Sequence, residues 1–249
     1  MTQQVAPGPT PRLGRAVGAP GVPGGTVGGV VLVLPAGAPE SSRGPSARAY
    51  AAARPLARRV AGAGAADGLV AHVVRYRGRG WNGEAARLAA DARWAVEEAV
   101  RRYGDVPVCL AGLHMGGRAA LRAAGHPAVT SVVALAPWLP DGGEEDPVRQ
   151  LAGRRVLIAH GTDDGRADPE LSFRLAARAK KANRDVCRFE VHSDGHGMRQ
   201  HRAEVRALVA DFAVGSLFGR PYARPLADAL AAPPPLGLRM PLALGFGQR

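Results

Sequence analysis

The sequence predicts an α/β fold, a parallel sheet of about six strands with helices on both faces. Three observations carry this. Between residues 27 and 214, short valine-rich apolar runs alternate with longer stretches whose apolar residues recur at helical spacing. The short runs are almost continuously apolar, as strands buried on both faces must be, whereas a strand with one wet face would alternate. A length of 249 residues, 46% of them hydrophobic, is enough for one domain with a substantial core.

Taken in order, residues 1–26 are rich in Pro and Gly and read as a flexible leader. Residues 27–34 (VGGVVLVL) form the first strand, which ends in the tight loop 35–39 (PAGAP). Residues 46–61 read as an alanine-rich helix with its arginines to one side, 62–68 as a turn, and 69–76 (LVAHVVRY) as the second strand. Residues 84–103 carry Leu88, Ala92, Ala95, Val96, Ala99 and Val100 on one helical face, and Gly104-Asp105 stops that helix. Residues 106–111 are the third strand, followed at once by a helix over 116–124. The fourth and fifth strands are 131–136 (SVVALA) and 155–159 (RVLIA). A helix over 169–182 has its proline in the first turn, where no hydrogen bond is lost. The sixth strand is 186–192 and the closing helix 199–214. The domain proper is therefore 27–218, and the proline-rich tail 219–249 is expected to be loosely ordered.

Composition narrows the function classes. No run approaches the ~20 apolar residues that span a bilayer, and residues 1–10 lack the basic-then-apolar pattern of a signal peptide. The expectation is a cytoplasmic protein without a membrane partner. Cys109 and Cys187 each sit in a strand-like run and read as reduced, buried residues. With no CxxC pair, a cysteine-based zinc site is excluded. The net charge of +12 raises nucleic acid as a partner. All but two of the 33 basic residues are arginines, however, dispersed along the chain among alanine and glycine. The one local cluster, residues 75–80 (RYRGRG), reads as a solvated loop, so nucleic-acid binding is not expected beyond salt-dependent attraction to polyanions.

Parallel sheets place their sites beyond the C-terminal strand ends, so the loops after strands matter most. The third strand runs into Gly112-Leu-His-Met-Gly-Gly117 and directly into a helix. This strand, G-x-nucleophile-x-G, helix layout lifts its central residue, here His114, to the top of the sheet. Gly112 and Gly116 are small because strand and helix must pack closely there. The N–H of Met115 is aimed where an oxyanion would develop, at the positive end of the helix. Two further loops follow the fifth and sixth strands, His160-Gly-Thr-Asp-Asp164 and Ser193-Asp-Gly-His-Gly197.

On these motifs and their order, the chain resembles the α/β-hydrolase family, and within it small bacterial dienelactone-hydrolase-like or esterase-like members. The resemblance implies a three-layer sandwich hydrolysing ester or other acyl bonds of a small molecule without a cofactor. It implies Asp164 as the acid, with Asp163 as its near rival, and His196 as the base. It also implies an oxyanion hole from the N–H groups of Ala36 or Gly37, in the loop after the first strand, together with Met115. Only residues 137–150 separate the fourth and fifth strands, too few for a large cap domain, so the site should be open. Trp81 and Trp138 lie in post-strand loops and are candidates to line it, with ordinary packing as the alternative reading.

The chain departs from the pattern at its centre. His114 stands where the family carries serine, and no neighbouring serine substitutes. Three readings stay open. His114 attacks an activated ester, or His196 drives water directly. Alternatively the chain is a pseudo-hydrolase that binds a ligand or partner. Or His114, His196 and Asp164 hold a divalent metal, with His192, His196 and His201 a weaker metal set. His160 reads as a hydrogen-bonded structural residue, His72 as strand packing, and His126 as part of a turn before Pro127.

Overall fold

The computed structural model describes residues 9–18, 26–142 and 145–247. Its strands are β1 (Arg12–Leu13), β2 (Gly29–Leu34), β3 (Leu69–Arg75), β4 (Val108–Leu113), β5 (Val129–Leu135), β6 (Arg155–Gly161), β7 (Val186–Val191) and β8 (Met240–Pro241). The helices are α1 (Ala47–Ala63), α2 (Arg87–Tyr103), α3 (Met115–Ala123), α4 (Pro169–Ala182), α5 (Arg202–Phe218) and α6 (Arg224–Ala231). The sheet order is β1-β3-β2-β4-β5-β6-β7-β8, parallel throughout except for β1. The six expected strands are thus β2 to β7, and two short edge strands join them.

Strand alternation splits the apolar residues into two cores. Val30, Leu32 and Leu34 of β2 face one layer, with Leu88 and Ala92 of α2, Ala119 of α3 and Leu175 of α4. Val31 and Val33 face the other, with Leu56 and Val60 of α1, Leu208 and Phe212 of α5, and Leu226 of α6. A one-residue slip would exchange the two sets, but because both faces are apolar here, register rests on packing shape as well as on polarity. Ser46 caps α1 by accepting from the Ala49 N–H, and Asp168 caps α4 by accepting from Glu170.

The ends differ from expectation. Part of the supposed leader is tied to the sheet, where β1 pairs with β3 and Val17 bridges Ala71. Residues 1–8 and 19–25 of that stretch lie outside the described residues. The tail also packs. It forms α6 and then β8, which pairs with β7. Its anchor is Arg188 on β7, whose guanidinium is buried and donates to the Leu238 carbonyl, to Ser172, to Glu190 and to Pro169. A buried guanidinium must find acceptors, and the tail supplies one of them.

Element ends shift as well. The helix expected from residue 84 begins at Arg87, after a single 3-10 turn and Ala86 at φ 41°. Strand β4 runs two residues past the expected end at 111, directly into the elbow. The basic cluster at 75–80 is occupied internally. Arg75 lies over the Tyr50 ring, Arg77 pairs with Asp91, and Arg79 donates to the Gly44 carbonyl. Both cysteines are free and buried, and burial pushes each thiol up to about 12. Among the described residues, no helix is long and apolar enough to cross a membrane.

Candidate active site

The chain leaves β2 for β3 on one side and returns to β4 on the other, so β2 and β4 are neighbours at a switch in strand order. The loops after them meet there. A Cβ on Gly112 would fall 2.0 Å from the Gly116 carbonyl oxygen, and one on Gly116 would fall 2.2 Å from that of Leu34. These contacts are backbone on backbone, so only glycine fits at either position. His114 is thereby held at φ 55°, ψ −116°, in the strained region expected of an elbow. Its N–H donates to Leu135 (2.8 Å), and its carbonyl accepts from Gly117 and Trp138.

The loop after β2 lies against the elbow. The Cβ position of Gly37 is 3.4 Å from Met115 Cγ. Neither Ala36 nor Gly37 donates its N–H to a partner among the described residues. Met115 opens α3, so its N–H has no carbonyl one turn back within the helix. The loop that carries Ala36 and Gly37 therefore lies beside the residue that opens α3.

The acid and histidine loops are stitched together. Asp163 N–H donates to the Asp194 carbonyl, Ser193 N–H to Thr162 Oγ1, and Thr162 N–H to the Val191 carbonyl. A side chain on Gly161 would strike the carbonyl oxygen of Asp194 at 2.4 Å. This leaves Asp164 Oδ2 2.8 Å from His196 Nδ1. Asp163, the rival, is exposed and accepts from Thr162. Asp164 is fully engaged, with Oδ1 accepting from the N–H groups of Arg166 and Ala167 and Oδ2 from His196 and His160. Burial alone would raise its carboxyl, but those hydrogen bonds prevail and hold it well below the usual carboxylate range.

His114 lies over His196, with ring centroids 3.9 Å apart and planes 20° from parallel. Its Nδ1 is buried without a hydrogen-bond partner. Burial, reinforced by the neighbouring His196, lowers its pKa from 6.5 to about 4, so the ring is neutral at physiological pH. Beside it opens a cleft of about 410 Å³ between α1 and α5, walled by Leu56, Leu113, Leu135 and Val205.

Two candidate lining residues lie elsewhere, and the metal reading finds no arranged ligand set among the described residues. Trp81 does not line this cleft. It is buried in the core on the other face of the sheet, with the Arg118 guanidinium 4.1 Å over its ring. Trp138 packs partly against that same core and is likewise absent from the cleft wall. No group of three His, Cys, Asp or Glu side chains among the described residues is arranged to hold a metal ion. The stacked rings of His114 and His196 do not converge as ligands would, and His201 is turned to Asp194.

Sequence reasoning missed two supports. Asp194 accepts from the N–H groups of Gly195, Arg199, Gln200 and His201 and so shapes the loop that carries His196. An Asp followed by Gly is a turn signal that could have shown this. His160, read as structural, is buried and bridges Ser172 to the same Asp164 oxygen that His196 uses. His72 and His126 are structural, bonded to Gly14 and Tyr103 and to Ala128 respectively.

No family profile matches the sequence, and no curated protein does. Solved structures do match. The esterase Pf2001 of Pyrococcus furiosus superposes with a TM-score of 0.60 at 14% identity, over 77% of this chain and 84% of its own. XC6422 of Xanthomonas campestris, described as an α/β serine hydrolase without lid, gives 0.61 at 18% identity over 82% and 88%. Est1E of Butyrivibrio proteoclasticus gives 0.56 at 14% over 77% and 88%. The chain has the α/β-hydrolase fold, without a cap domain among the described residues.

Proposed function

We propose that the protein hydrolyses ester or related acyl bonds of a small molecule, with His196 as general base acting on water and Asp164 holding its ring. The observation that carries this reading is the 2.8 Å contact between His196 Nδ1 and an Asp164 carboxylate already saturated by backbone donors. Such a carboxylate fixes the proton on Nδ1 and leaves the other ring nitrogen free to accept one. Water would lose a proton to His196 and attack the acyl carbon. The N–H groups of Ala36, Gly37 and Met115 would take up the developing oxyanion, and the alcohol would leave with the proton returned by His196. His114 sits in the nucleophile position as a neutral imidazole. The fold neighbours, among them one named an esterase and one named a serine hydrolase, are consistent with acyl chemistry.

A second reading is a hydrolase frame kept for binding. The face-to-face stack favours it, because a proton passes between imidazoles in the ring plane and not through the ring faces. Rapid mixing with excess p-nitrophenyl acetate tests these readings. Water attack gives steady release of p-nitrophenol with no initial burst. A stoichiometric burst would make His114 the nucleophile through an acyl-imidazole. Release no faster than in the buffer alone would leave binding as the function.

A further inference from the structure

The cleft beside His114 has an unusual rim. Its body is apolar, but Arg199, just before α5, and Arg202 and Arg206 on it line the cleft, and no acidic residue among the described ones does. None of the three guanidinium groups forms an ion pair or hydrogen bond among the described residues. Many exposed arginines are likewise unpaired, but among the described arginines that are not fully exposed Arg206 alone lacks an acceptor: Arg118, Arg122 and Arg188 hold carboxylates, and Arg79, Arg154, Arg155 and Arg178 hold backbone carbonyls. Arg202 and Arg206 are one helical turn apart, so their like charges lie on the same face of α5. Arg206 is half-buried, and burial together with Arg202 lowers its pKa. Glu204, the acid of that turn, accepts from the Gly245 N–H and does not line the cleft.

We propose that this cleft binds an amphipathic anion, with an apolar body lying between Leu56 and Leu135 and a carboxylate or phosphate held by Arg202 and Arg206. The volume of about 410 Å³ suits a small ligand of this kind. An anion there would relieve the repulsion between the two arginines and give each a planar, two-pronged partner. The cleft reaches His114, so the same ligand places its bond near the proposed base. To that extent the substrate class rests on the hydrolase reading, whereas binding does not.

Titration calorimetry at 0.15 M salt with octanoate, octyl phosphate and octanol tests the proposal on the wild type, on Arg202→Gln/Arg206→Gln, and on Arg58→Gln, an exposed arginine of α1 outside the cleft. The expected result is saturable binding of an anion, weakened about tenfold or more in the double variant and unchanged in Arg58→Gln. Octanol should bind at least about tenfold more weakly than the anion. Which of octanoate and octyl phosphate binds better identifies the anionic group. Octanol binding as tightly as both anions, an equal loss in Arg58→Gln, or no saturable binding would overturn it. Wild-type protein that binds the anion saturably but does not hydrolyse a short-chain ester separates a failure of hydrolysis from a failure of binding.

Discussion

The rings of His114 and His196 lie face to face 3.9 Å apart, while His196 is held edge-on by Asp164 at 2.8 Å. An aspartate–histidine pair is thus assembled, and the residue at the elbow is stacked on it without a hydrogen bond between the two rings. This relationship separates the chain from a serine triad, in which the nucleophile donates a proton in the ring plane of the base.

Replacing His114 by serine puts a hydroxyl where the base can reach it. His114→Ser should raise turnover of short-chain p-nitrophenyl esters by about 100-fold or more and introduce a burst. Stopped-flow absorbance measures both.

Asp164 and Asp163 should differ sharply. Asp164→Asn loses the tautomer-fixing contact, and turnover should fall by roughly 100-fold or more. Asp163→Asn, altering an exposed side chain, should stay within about twofold. Steady-state kinetics on the two variants decide it.

The acid side of the stability profile carries the signature of His114. Its folded-state pKa is depressed, from 6.5 to about 4, so the unfolded chain takes up a proton first as pH falls. Stability is therefore lost between pH 6.5 and 4 and levels off below that window, with a loss on the order of 2 kcal/mol by pH 5. Urea unfolding of His114→Ser should lack this loss. Parallel profiles for the two proteins would contradict the assignment. Asp164, held low in the folded state, adds its own loss as the pH falls through the usual carboxylate range and below it.

The elbow glycines should tolerate no side chain. Gly112→Ala and Gly116→Ala each press a Cβ onto a backbone carbonyl, at 2.0 and 2.2 Å, and should cost roughly 3 kcal/mol or more. Thermal melts report the loss, which should exceed that of Gly62→Ala, where nothing lies within 4 Å.

Much of this was legible because the relevant signals are local. Valine-rich runs gave the six inner strands, and the glycines at 112 and 116 gave the elbow. The edges were hidden because Arg12–Leu13 and Met240–Pro241 have weak strand propensity and are held by tertiary contacts, β1 by pairing with β3 and the tail by the buried Arg188. The tryptophans were misplaced because position in a post-strand loop does not say which face of the sheet a side chain takes, and Trp81 turns to the core and Arg118. The arginine rim escaped notice because in a chain so rich in arginine nothing marks three of them as unpaired until α1 and α5 are brought together.

The most direct test is the dependence of wild-type ester hydrolysis on His196. Initial rates on a short-chain p-nitrophenyl ester should fall in His196→Ala to near the uncatalysed rate, with the fold intact by circular dichroism. Wild-type and His196→Ala proteins hydrolysing the ester at the same rate would contradict a base at His196 and leave the assembled Asp164–His196 pair without a catalytic role.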